Sequence, residues 1–357
     1  MLRLSARIRP RASSCLGLLL LSGALACAPP PRDDCDAQGP LRTLCGLENP
    51  EDLAWAPEHG ALVVSQMRRD GAGGSLARLT PNGRPRRLWP LEATPGLDAG
   101  PSAGDPSCPP PAADAFAPHG LTVGPAGLYV VNHGGRESVE IFALSGAGEE
   151  LRARWLGCVE LPEGTSGNDV AAGARGEIVV SNTSPPGGQR TASLKSLLGW
   201  TTGNVLHWSS GDGWRAVPGT AASVPNGVAI SPDGEWVYYA ESGQGRVVRV
   251  RPDGEERQAV FVPGRPDNLA WSESGRLYVA SHLSFLDLAR CLWSRPCRAP
   301  WKVFELDAAT LAVREVLAHD GARIGAVSGA QPVGGDLYLS AVFDDRIGVW
   351  PAAPEER

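Results

Sequence analysis

One polar motif recurs six times along the chain, and a turn and an apolar strand follow each copy. The openings are Glu51-Asp52-Leu53-Ala54-Trp55, His119-Gly120-Leu121-Thr122-Val123, Asn168-Asp169-Val170-Ala171-Ala172, Asn226-Gly227-Val228-Ala229-Ile230, Asp267-Asn268-Leu269-Ala270-Trp271 and, more weakly, Ala326-Val327-Ser328-Gly329-Ala330. The strands that follow them start at Ala61, Leu128, Glu177, Trp236, Leu277 and Leu337. A repeat of this length made of short strands is typical of a β-propeller. The sequence therefore predicts an all-β, six-bladed β-propeller with four-stranded blades around a central tunnel.

Composition agrees with many tight turns between short strands. The chain of 357 residues contains 44 Gly and 32 Pro, and only 20% of its residues are charged. Pro presets φ for turns and Gly adopts positive φ, so both are typical of the connections between strands. The net charge of −6, without a basic run beyond the N-terminus, argues against nucleic acid as a partner.

The N-terminal segment has the pattern of an export signal. Four arginines precede an apolar run over residues 16–26, and Ala24-Leu25-Ala26 supplies small residues before a cleavage point. Cys27 follows directly, as in a bacterial lipoprotein, although Ala24 stands where such signals usually have Leu. We therefore expect a signal peptide over residues 1–26, a tether over 27–44 and a six-bladed propeller domain over 45–351. The mature protein is either attached to the membrane at the cell envelope through a lipidated Cys27, or periplasmic or secreted.

Six cysteines beyond Cys27 agree with an oxidising compartment. Six cysteines allow 15 connectivities, and sequence alone does not choose among them. The local pairs Cys35–Cys45 and Cys291–Cys297 are the simplest expectation, and they leave Cys108 with Cys158. No Cys-x-x-Cys pair or Cys/His cluster is present, which argues against zinc.

Three inserts interrupt the repeat. Residues 92–118 are rich in Pro, Ala and Gly and predict an extended loop between the first two blades. Residues 189–202 in blade three are consistent with a short helix, and residues 284–299 form a third insert in blade five. If all three lie on the rim of the polar openings, they would form the walls of a pocket.

The polar openings predict a calcium centre. Equivalent positions of all blades face one axis, so oxygen-bearing side chains there would converge on it. Carboxylate and amide oxygens in this number suit a hard cation with six to eight ligands, namely calcium. The candidate ligands are Glu51, Asn168, Asn226, Asp267 and Asn268, and the neighbouring Asp52 and Asp169 are candidates for a second ion. Each opening taken alone is also an ordinary turn sequence.

Two histidines are candidates for acid–base chemistry. His119 shares the register of the polar ring, and His133 ends the next strand of the same blade. A His pair can act as a general base and its orienting partner, because imidazole titrates near neutral pH. His282 ends the corresponding strand of blade five and is a candidate pocket residue.

Several other chemistries have no sequence support. The chain has no Gly-x-Ser-x-Gly elbow, no Walker or dinucleotide-binding glycine pattern after a strand, and no His-Glu-x-x-His motif. A serine hydrolase of the elbow type, a nucleotide-binding enzyme and a zinc protease are therefore not indicated.

Taken together in order, these motifs resemble those of the paraoxonase/arylesterase family of six-bladed propellers. The match covers about residues 45 to 350. Its most specific pieces are Pro118-His119-Gly120, Val130-Val131-Asn132-His133, Ser138-Val139-Glu140-Ile141-Phe142, Gly167-Asn168-Asp169, Asn226-Gly227, Ser231-Pro232-Asp233-Gly234 with Tyr238, Asp267-Asn268 and Ala341-Val342-Phe343.

The resemblance implies two calcium ions, one catalytic and one structural. The catalytic ion would be held by Glu51, Asn168, Asn226, Asp267 and Asn268. The structural ion would be held by Asp52, Asp169 and the backbone carbonyl of Leu121. His119 and His133 would form the catalytic dyad, and the substrate would be a small lactone or aryl ester. Blade six, at Ala326-Val327-Ser328, supplies no obvious ligand and marks a possible entrance for the substrate.

The chain also departs from that family. Asn182 is followed by Thr183 and Ser184 instead of an Asp-His pair, and Val224 replaces an aromatic residue. No cysteine follows Cys297, so closure of the ring must rest on strand pairing alone. These departures leave the substrate preference open.

Two other functions remain as alternatives. A sugar lactonase of the senescence-marker/gluconolactonase group would also have six blades, with one essential metal and a polar sugar pocket. The pairs Glu51-Asp52 and Asn168-Asp169 favour two ions instead. A non-catalytic propeller would use calcium only for rigidity and serve as a binding module.

Overall fold

Six small β-sheets make up the fold. The computed structural model of the chain describes Cys35 and residues 39–68, 73–81, 83–91 and 102–351. Each sheet has four strands, and one of them gains a short fifth strand at its edge. The predicted signal peptide and Cys27 lie outside the described residues.

The strands of the first three blades follow one another along the chain. Blade one contains β2 (Pro50–Ala56), β3 (Ala61–Gln66), β4 (Ser75–Leu79) and β5 (Arg86–Trp89). Blade two contains β7 (Pro118–Gly124), β8 (Gly127–Asn132), β9 (Ser138–Ser145) and β10 (Arg152–Glu160), with β6 (Ala103–Gly104) parallel to β10. Blade three contains β11 (Gly167–Ala172), β12 (Ile178–Asn182), β13 (Asn204–Ser209) and β14 (Gly213–Ala216).

The last three blades repeat this order until the final sheet, which also takes in the first strand of the chain. Blade four contains β15 (Pro225–Ile230), β16 (Val237–Glu241), β17 (Arg246–Val250) and β18 (Gln258–Phe261). Blade five contains β19 (Arg265–Trp271), β20 (Leu277–His282), β21 (Trp301–Leu306) and β22 (Val313–His319). Blade six contains β23 (Val327–Val333), β24 (Asp336–Ala341), β25 (Arg346–Pro351) and β1 (Arg42–Cys45).

The first strand of every blade lies at the axis. Consecutive innermost strands contact each other around a ring, and β23 of blade six contacts β2 of blade one. The six apolar runs that the sequence placed second in each repeat are β3, β8, β12, β16, β20 and β24. The predicted six-bladed β-propeller is therefore confirmed.

The ring closes through the N-terminal strand. β1 pairs antiparallel with β25, so that Arg42 lies opposite Val349 and Cys45 opposite Arg346. The last three residues of the predicted 27–44 tether thus belong to blade six. Strand pairing closes this ring, as expected from the absence of a cysteine after Cys297.

Apolar side chains fill the spaces between neighbouring blades. Trp89 of blade one packs edge-on against Phe116 and against Phe142 of blade two, with ring centroids 4.5 and 5.2 Å apart. The three rings belong to a buried cluster that spans both blades. Since burial of apolar area contributes about 25 cal/mol per Å², such clusters hold neighbouring blades together.

Two α-helices occur in the described residues, one in each of two predicted inserts. Helix α1 (Gln189–Leu197) lies between β12 and β13, and α2 (Phe285–Arg290) lies between β20 and β21. Ser284 caps α2, because its hydroxyl accepts a hydrogen bond from the Asp287 N–H at 3.2 Å. Neither helix has the length and apolar character needed to cross a membrane.

Three disulfides join cysteines in the expected pairing. Cys35 bonds to Cys45, Cys108 to Cys158 and Cys291 to Cys297. The second of these fastens the insert before blade two to strand β10, and the third closes the insert that contains α2.

Candidate active site

The polar openings lie where the innermost strands change register. In blade two, Pro118 pairs with Asn132 and Leu121 with Val130, which leaves His119 and Gly120 in a bulge. All six innermost strands show the same shift at the equivalent position. A bulge re-aims side chains that regular pairing would alternate between faces. This local geometry lets two successive residues of one strand contribute to the polar ring around the axis.

Small and large residues alternate around the ring at the residue that follows the first polar residue of each bulge. Gly120, Gly227 and Gly329 stand in blades two, four and six, whereas Asp52, Asp169 and Asn268 stand in blades one, three and five. A Cβ atom on Gly120 would lie 2.5 Å from Asp169 Cα, and one on Gly227 would lie 2.6 Å from Asn268 Cα. Glycine in the even blades therefore provides room for the side chains of the odd blades.

Four oxygen atoms of the predicted calcium ring are buried without a hydrogen-bond partner in the protein. They are Glu51 Oε2, Asn168 Oδ1, Asn226 Oδ1 and Asn268 Oδ1. The Asn268 amide donates to Glu51 Oε1 at 3.1 Å, although a whole blade separates these residues in the ring. Side chains from separate blades thus meet at the axis. An unpaired buried acceptor costs about 1–3 kcal/mol, so four together fit a cation that would bind them.

The fifth predicted ligand, Asp267, is bonded to a histidine. His282 Nε2 lies 2.6 Å from Asp267 Oδ2, and both side chains are buried. His282 Nδ1 is buried without a partner. His282 therefore orients this carboxylate, whereas the sequence indicated only that it lines the pocket.

Asp52 and Asp169, the candidate ligands of the second ion, each accept a hydrogen bond from the next blade. Asp52 Oδ2 accepts a hydrogen bond from the Leu121 N–H at 2.9 Å, and Asp169 Oδ2 accepts one from the Val228 N–H at 2.7 Å. Burial raises the pKa of Asp52 to about 7, against the lowering effect of the Leu121 and Leu53 N–H groups. Burial, and then the charge of Asp52, raises the pKa of Asp169 well above its ordinary value. The two carboxylates therefore lie close enough to repel each other.

The centre of the ring is rich in carboxylates and poor in cations. Burial, followed by the charges of Asp52 and Asp267, raises the pKa of Glu51. Within the described part of the chain, no Lys or Arg forms an ion pair with Glu51, Asp52, Asp169 or Asp267. The described residues as a whole also contain no group of three Asp, Glu, His or Cys side chains that could hold a metal by itself. Asparagine oxygens would have to complete the site of Glu51 and Asp267, and a backbone carbonyl the site of Asp52 and Asp169.

His119 and His133 form a hydrogen-bonded pair, as the sequence predicted for their positions. His119 Nδ1 lies 2.8 Å from His133 Nε2, and His119 Nε2 lies 3.6 Å from Glu51 Oε1. Burial, and then His133, lowers the pKa of His119 to about 3. The His119 ring is therefore neutral at physiological pH and able to accept a proton on one nitrogen.

The sequence-based interpretation missed a carboxylate behind this pair. His133 Nδ1 lies 3.0 and 2.9 Å from the two carboxylate oxygens of Glu137. Glu137 lies in the turn between β8 and β9, outside the repeated openings. Its spacing of four residues from His133 is the only signal that the sequence offered.

Blade six contributes hydrogen-bond donors in place of a ligand. The hydroxyls of Ser328 and Ser340 donate to the Glu51 carbonyl oxygen at 2.5 and 2.9 Å. Val327 and Pro50 both pair just before the register shift, so Ser328 and Gly329 are the equivalents of Glu51 and Asp52. The predicted blade-six opening, which began at Ala326, is therefore wrong by two residues. Blade six thus positions the backbone of a predicted ligand.

Two inserts share the rim of the polar openings. Helices α1 and α2 follow β12 and β20, whose last residues Asn182 and His282 pair with the beginnings of β11 and β19. Arg265 connects the inserts, because its guanidinium donates to Ser196 Oγ at 3.0 Å and lies 5.4 Å from the Phe285 ring centroid. Large apolar side chains are exposed on both inserts, namely Leu194, Leu197, Leu198, Trp200, Leu283, Leu286, Leu292 and Trp293.

A cavity of about 630 Å³ occupies the opposite half of the axis. It extends from Asp52 and Asp169 past Trp55 and Trp271 toward the far rim. Among the described residues that line it there is no Lys or Arg. The His119–His133 pair does not border this cavity, so the ring of polar openings separates two different ends of the channel.

Comparison with solved structures shows that the fold is shared with several enzymes. A gluconolactonase from Xanthomonas campestris is 16% identical with a TM-score of 0.56, over 88% of this chain and 89% of that chain. A luciferin-regenerating enzyme is 13% identical with a TM-score of 0.54, over 87% and 94%. A catalytically inactive virginiamycin B lyase from Staphylococcus aureus is 14% identical with a TM-score of 0.52, over 88% and 99%.

Comparison of the sequence with families gives a closer assignment. No curated protein sequence matches the chain. The family description "SMP-30/Gluconolactonase/LRE-like region" matches residues 50–283, about two thirds of the chain. This range includes every predicted ligand and both histidines of the pair. The chain therefore belongs to the SMP-30/gluconolactonase/LRE-like family.

Proposed function

We propose that the protein is a calcium-dependent hydrolase of lactones and aryl esters, of the kind that its resemblance to paraoxonases implies. The observation that carries the proposal is the set of four buried, unpartnered oxygens beside a hydrogen-bonded histidine pair. Cation ligands and a proton acceptor close together at the propeller axis are the components that metal-assisted ester hydrolysis needs. Membership of a family that includes gluconolactonases supports the lactone part of the proposal.

The chain offers oxygen ligands of the type that calcium prefers. Glu51, Asn168, Asn226, Asp267 and Asn268 would hold the catalytic ion, and Asp52, Asp169 and the Leu121 carbonyl would hold the structural one. When bound, the catalytic ion would polarise the ester carbonyl and stabilise the negative charge that develops on its oxygen.

His119 would take the proton from the attacking water. With a pKa of about 3, His119 is a weak base and would hold the extra proton only briefly. His133 lies within hydrogen-bond distance and is the group to which His119 can pass its other ring proton. The pair would thus relay the proton away from the axis.

The second candidate is a sugar lactonase, which the family match favours directly. It would need one metal and a polar pocket. The exposed leucines and tryptophans on the two inserts support an apolar substrate instead. A third outcome is a non-catalytic calcium-stabilised binding module.

A hydrolysis screen with counted calcium would separate these functions. The substrates are acyl-homoserine lactones, simple lactones, gluconolactone and phenyl acetate, each with calcium and after exhaustive chelation. We expect two calcium ions per chain, preference for apolar lactones or phenyl acetate, and loss of hydrolysis after chelation. Activity that survives chelation would rule out the mechanism, and gluconolactone preference with one ion would favour the sugar lactonase. Calcium binding without any hydrolysis would leave the binding module.

The His119→Gln variant tests the histidine pair separately. We expect the turnover rate to fall about a hundredfold or more, because general base catalysis contributes roughly 10²–10⁴. His59→Gln is the matched control, since His59 contacts the Gly146 carbonyl away from the dyad. An unchanged rate in His119→Gln would leave catalysis to the metal alone.

We also propose that the protein is exported and attached to the membrane through a lipidated Cys27. Three disulfides are consistent with an oxidising compartment. Metabolic labelling with a fatty acid should mark the wild-type chain and not a Cys27→Ser variant. A secreted chain without label would favour plain secretion.

A further inference from the structure

The hydrogen bonds of the histidine pair continue to a carboxylate. His119 contacts His133, and His133 contacts both oxygens of Glu137. We propose that Glu137 is a positioning residue that sets the tautomers of both histidines and so leaves His119 Nε2 free to accept a proton. This inference rests on the proposed function and adds a third member to the proton relay.

The tautomers follow from the chemistry of the donors and acceptors. An ionised carboxylate only accepts hydrogen bonds, so His133 Nδ1 must carry the proton that faces Glu137. In the proposed resting state His133 is neutral and has this one N–H, so its Nε2 is an acceptor. His119 Nδ1 lies 2.8 Å away and must donate to it. His119 Nε2 then keeps a free lone pair on the side of Glu51.

Glu137 is itself held from blade three. Its Oε1 accepts from the Ser166 hydroxyl and its Oε2 from the Gly167 N–H, both at 3.3 Å. Gly167 directly precedes the predicted ligand Asn168. The carboxylate thus faces His133 with one side and the first strand of the next blade with the other, which fixes its orientation.

The charge of Glu137 is not neutralised by a basic side chain in the described residues. Its only ion pair there is with His133. The neighbouring Arg136 pairs with Glu140 at 2.8 Å and lies 4.0 Å from Glu160. The negative charge of Glu137 is therefore available to stabilise a positive charge on His133.

The proton transfer balances as follows. The O–H bond of water breaks as His119 Nε2 gains a proton, and the freed electron pair on oxygen forms the bond to the ester carbonyl carbon. The N–H bond at His119 Nδ1 breaks as His133 Nε2 gains that proton. His119 remains neutral, and His133 becomes an imidazolium whose Nδ1–H faces Glu137. When the C–O bond to the leaving group breaks, the alkoxide takes the proton from His119 Nε2, and His133 Nε2 returns its proton to His119 Nδ1.

A purely structural role would be different. Glu137 would then only fasten the turn after β8 to the start of β11, and its loss would act on stability and on Asn168. The two roles are separable, because only a positioning role depends on His133. The required variants are Glu137→Ala, Glu137→Gln, His133→Gln and the double variant His133→Gln/Glu137→Gln. Glu163→Gln is the matched control, since Glu163 is an exposed carboxylate in the segment before β11.

Nitrogen-15 NMR of the histidine rings tests the tautomers without any substrate. In the calcium-loaded wild-type protein, we expect His133 in the Nδ1–H form, identified by the loss of its signals in His133→Gln. In Glu137→Ala we expect a shift toward the Nε2–H form, and Glu163→Gln should match the wild type. An Nε2–H tautomer in the wild type, or an unchanged tautomer in Glu137→Ala, would overturn the inference.

Kinetics test the consequence for catalysis. We expect Glu137→Gln to lower kcat about tenfold to a hundredfold with little change in KM. In the His133→Gln background, the same change should have almost no further effect. Full additivity of the two losses, or a loss in Glu137→Gln that tracks weaker calcium binding, would instead show a structural role.

Failure of the proposed function would look different from failure of this inference. If no lactone or ester is hydrolysed, the NMR comparison still decides whether Glu137 sets the tautomers. If hydrolysis is found but Glu137→Gln leaves kcat unchanged, the proposed hydrolase stands and the positioning role is wrong.

Discussion

The odd-numbered and even-numbered blades contribute differently to the axis. Blades one, three and five supply all four central carboxylates, Glu51, Asp52, Asp169 and Asp267. Blades two, four and six supply neutral first residues, followed in each case by glycine. The propeller has six equivalent positions, but its centre is built with approximate threefold alternation. Charge in the odd blades therefore depends on the space that the even blades leave.

The largest effect on stability is expected when the space in an even blade is filled. In Gly120→Ala, the new Cβ would lie 2.5 Å from both Asp169 Cα and Asp169 Oδ1. We expect a loss of roughly 3 kcal/mol in the free energy of unfolding, at the upper end for overpacking of a dense interior. Urea unfolding would measure it. Gly211→Ala is the control, because no atom lies within 4 Å of a Cβ there.

A Gly120→Ala protein with wild-type stability would mean that blades two and three can separate at no cost. The alternation would then be a feature of the sequence without a packing function.

The second test uses pH on the calcium-free protein. The pKa of Asp52 rises from 3.8 to about 7 on folding, so the folded state binds more protons than the unfolded state between these values. Stability is therefore highest at the acidic end and falls as the pH rises through the folded pKa. Asp52 alone predicts a loss of roughly 3 kcal/mol between about pH 5 and about pH 8.

The raised pKa values of Asp169 and Glu51 have the same sign and add to this loss. Thermal unfolding after chelation would measure it, and calcium at the higher pH should restore stability. Calcium-free protein that becomes more stable as the pH rises would contradict the repulsion inferred for the odd blades.

The third test removes one charge of the odd blades. Asp52→Asn keeps an oxygen for the Leu121 N–H but cannot contribute a negative charge to an ion. We expect one of the two calcium ions to bind at least about tenfold more weakly, a change of 1.4 kcal/mol. The calcium-free variant should be more stable than the wild type at neutral pH, because one buried charge is gone.

Calorimetry of calcium binding and thermal unfolding give the two readouts. Asp114→Asn is the control for an exposed carboxylate. Equal calcium affinity in Asp52→Asn and the wild type would remove Asp52 from the ion site.

The smallest expected effect is a loss of stability from a change in blade six. Ser328→Ala removes one of two hydroxyls that donate to the Glu51 carbonyl. We expect a loss of about 1 kcal/mol in the free energy of unfolding, and a larger loss when Ser340 is changed as well. Chemical denaturation would measure both, with Ser210→Ala as an exposed control. Identical stability of all these variants would show that blade six does not hold Glu51.

The fold and the positions of most candidate site residues could be predicted from the sequence, because each blade repeats one local pattern. The polar opening and the apolar strand lie within a few residues of each other, and equivalent residues of a propeller share the axis. The pairing of His119 with His133 followed from the same logic, since each ends or begins a strand at one rim.

The features that the sequence did not indicate depend on pairing between strands or on turns. The bulge at Ser328 becomes visible only when Gly329 is found opposite Ser340. Glu137 lies in a turn whose length does not repeat between blades. β1 includes residues that composition assigned to a tether, because a strand that closes a ring has its partner at the other end of the chain. The calcium ions and the paraoxonase-like activity remain predictions.

The closing strand also has a consequence for the order of folding. Arg42 pairs with Val349, so the first strand of the domain to be synthesised cannot find its partner until the last strand has been made. Such a contact has a very large sequence separation, and contacts of this kind form slowly. Blades one to five can form in turn as the chain is made, but the sixth sheet must wait until its last strand has emerged. Loss of the last strand would therefore leave both ends of the ring without a partner.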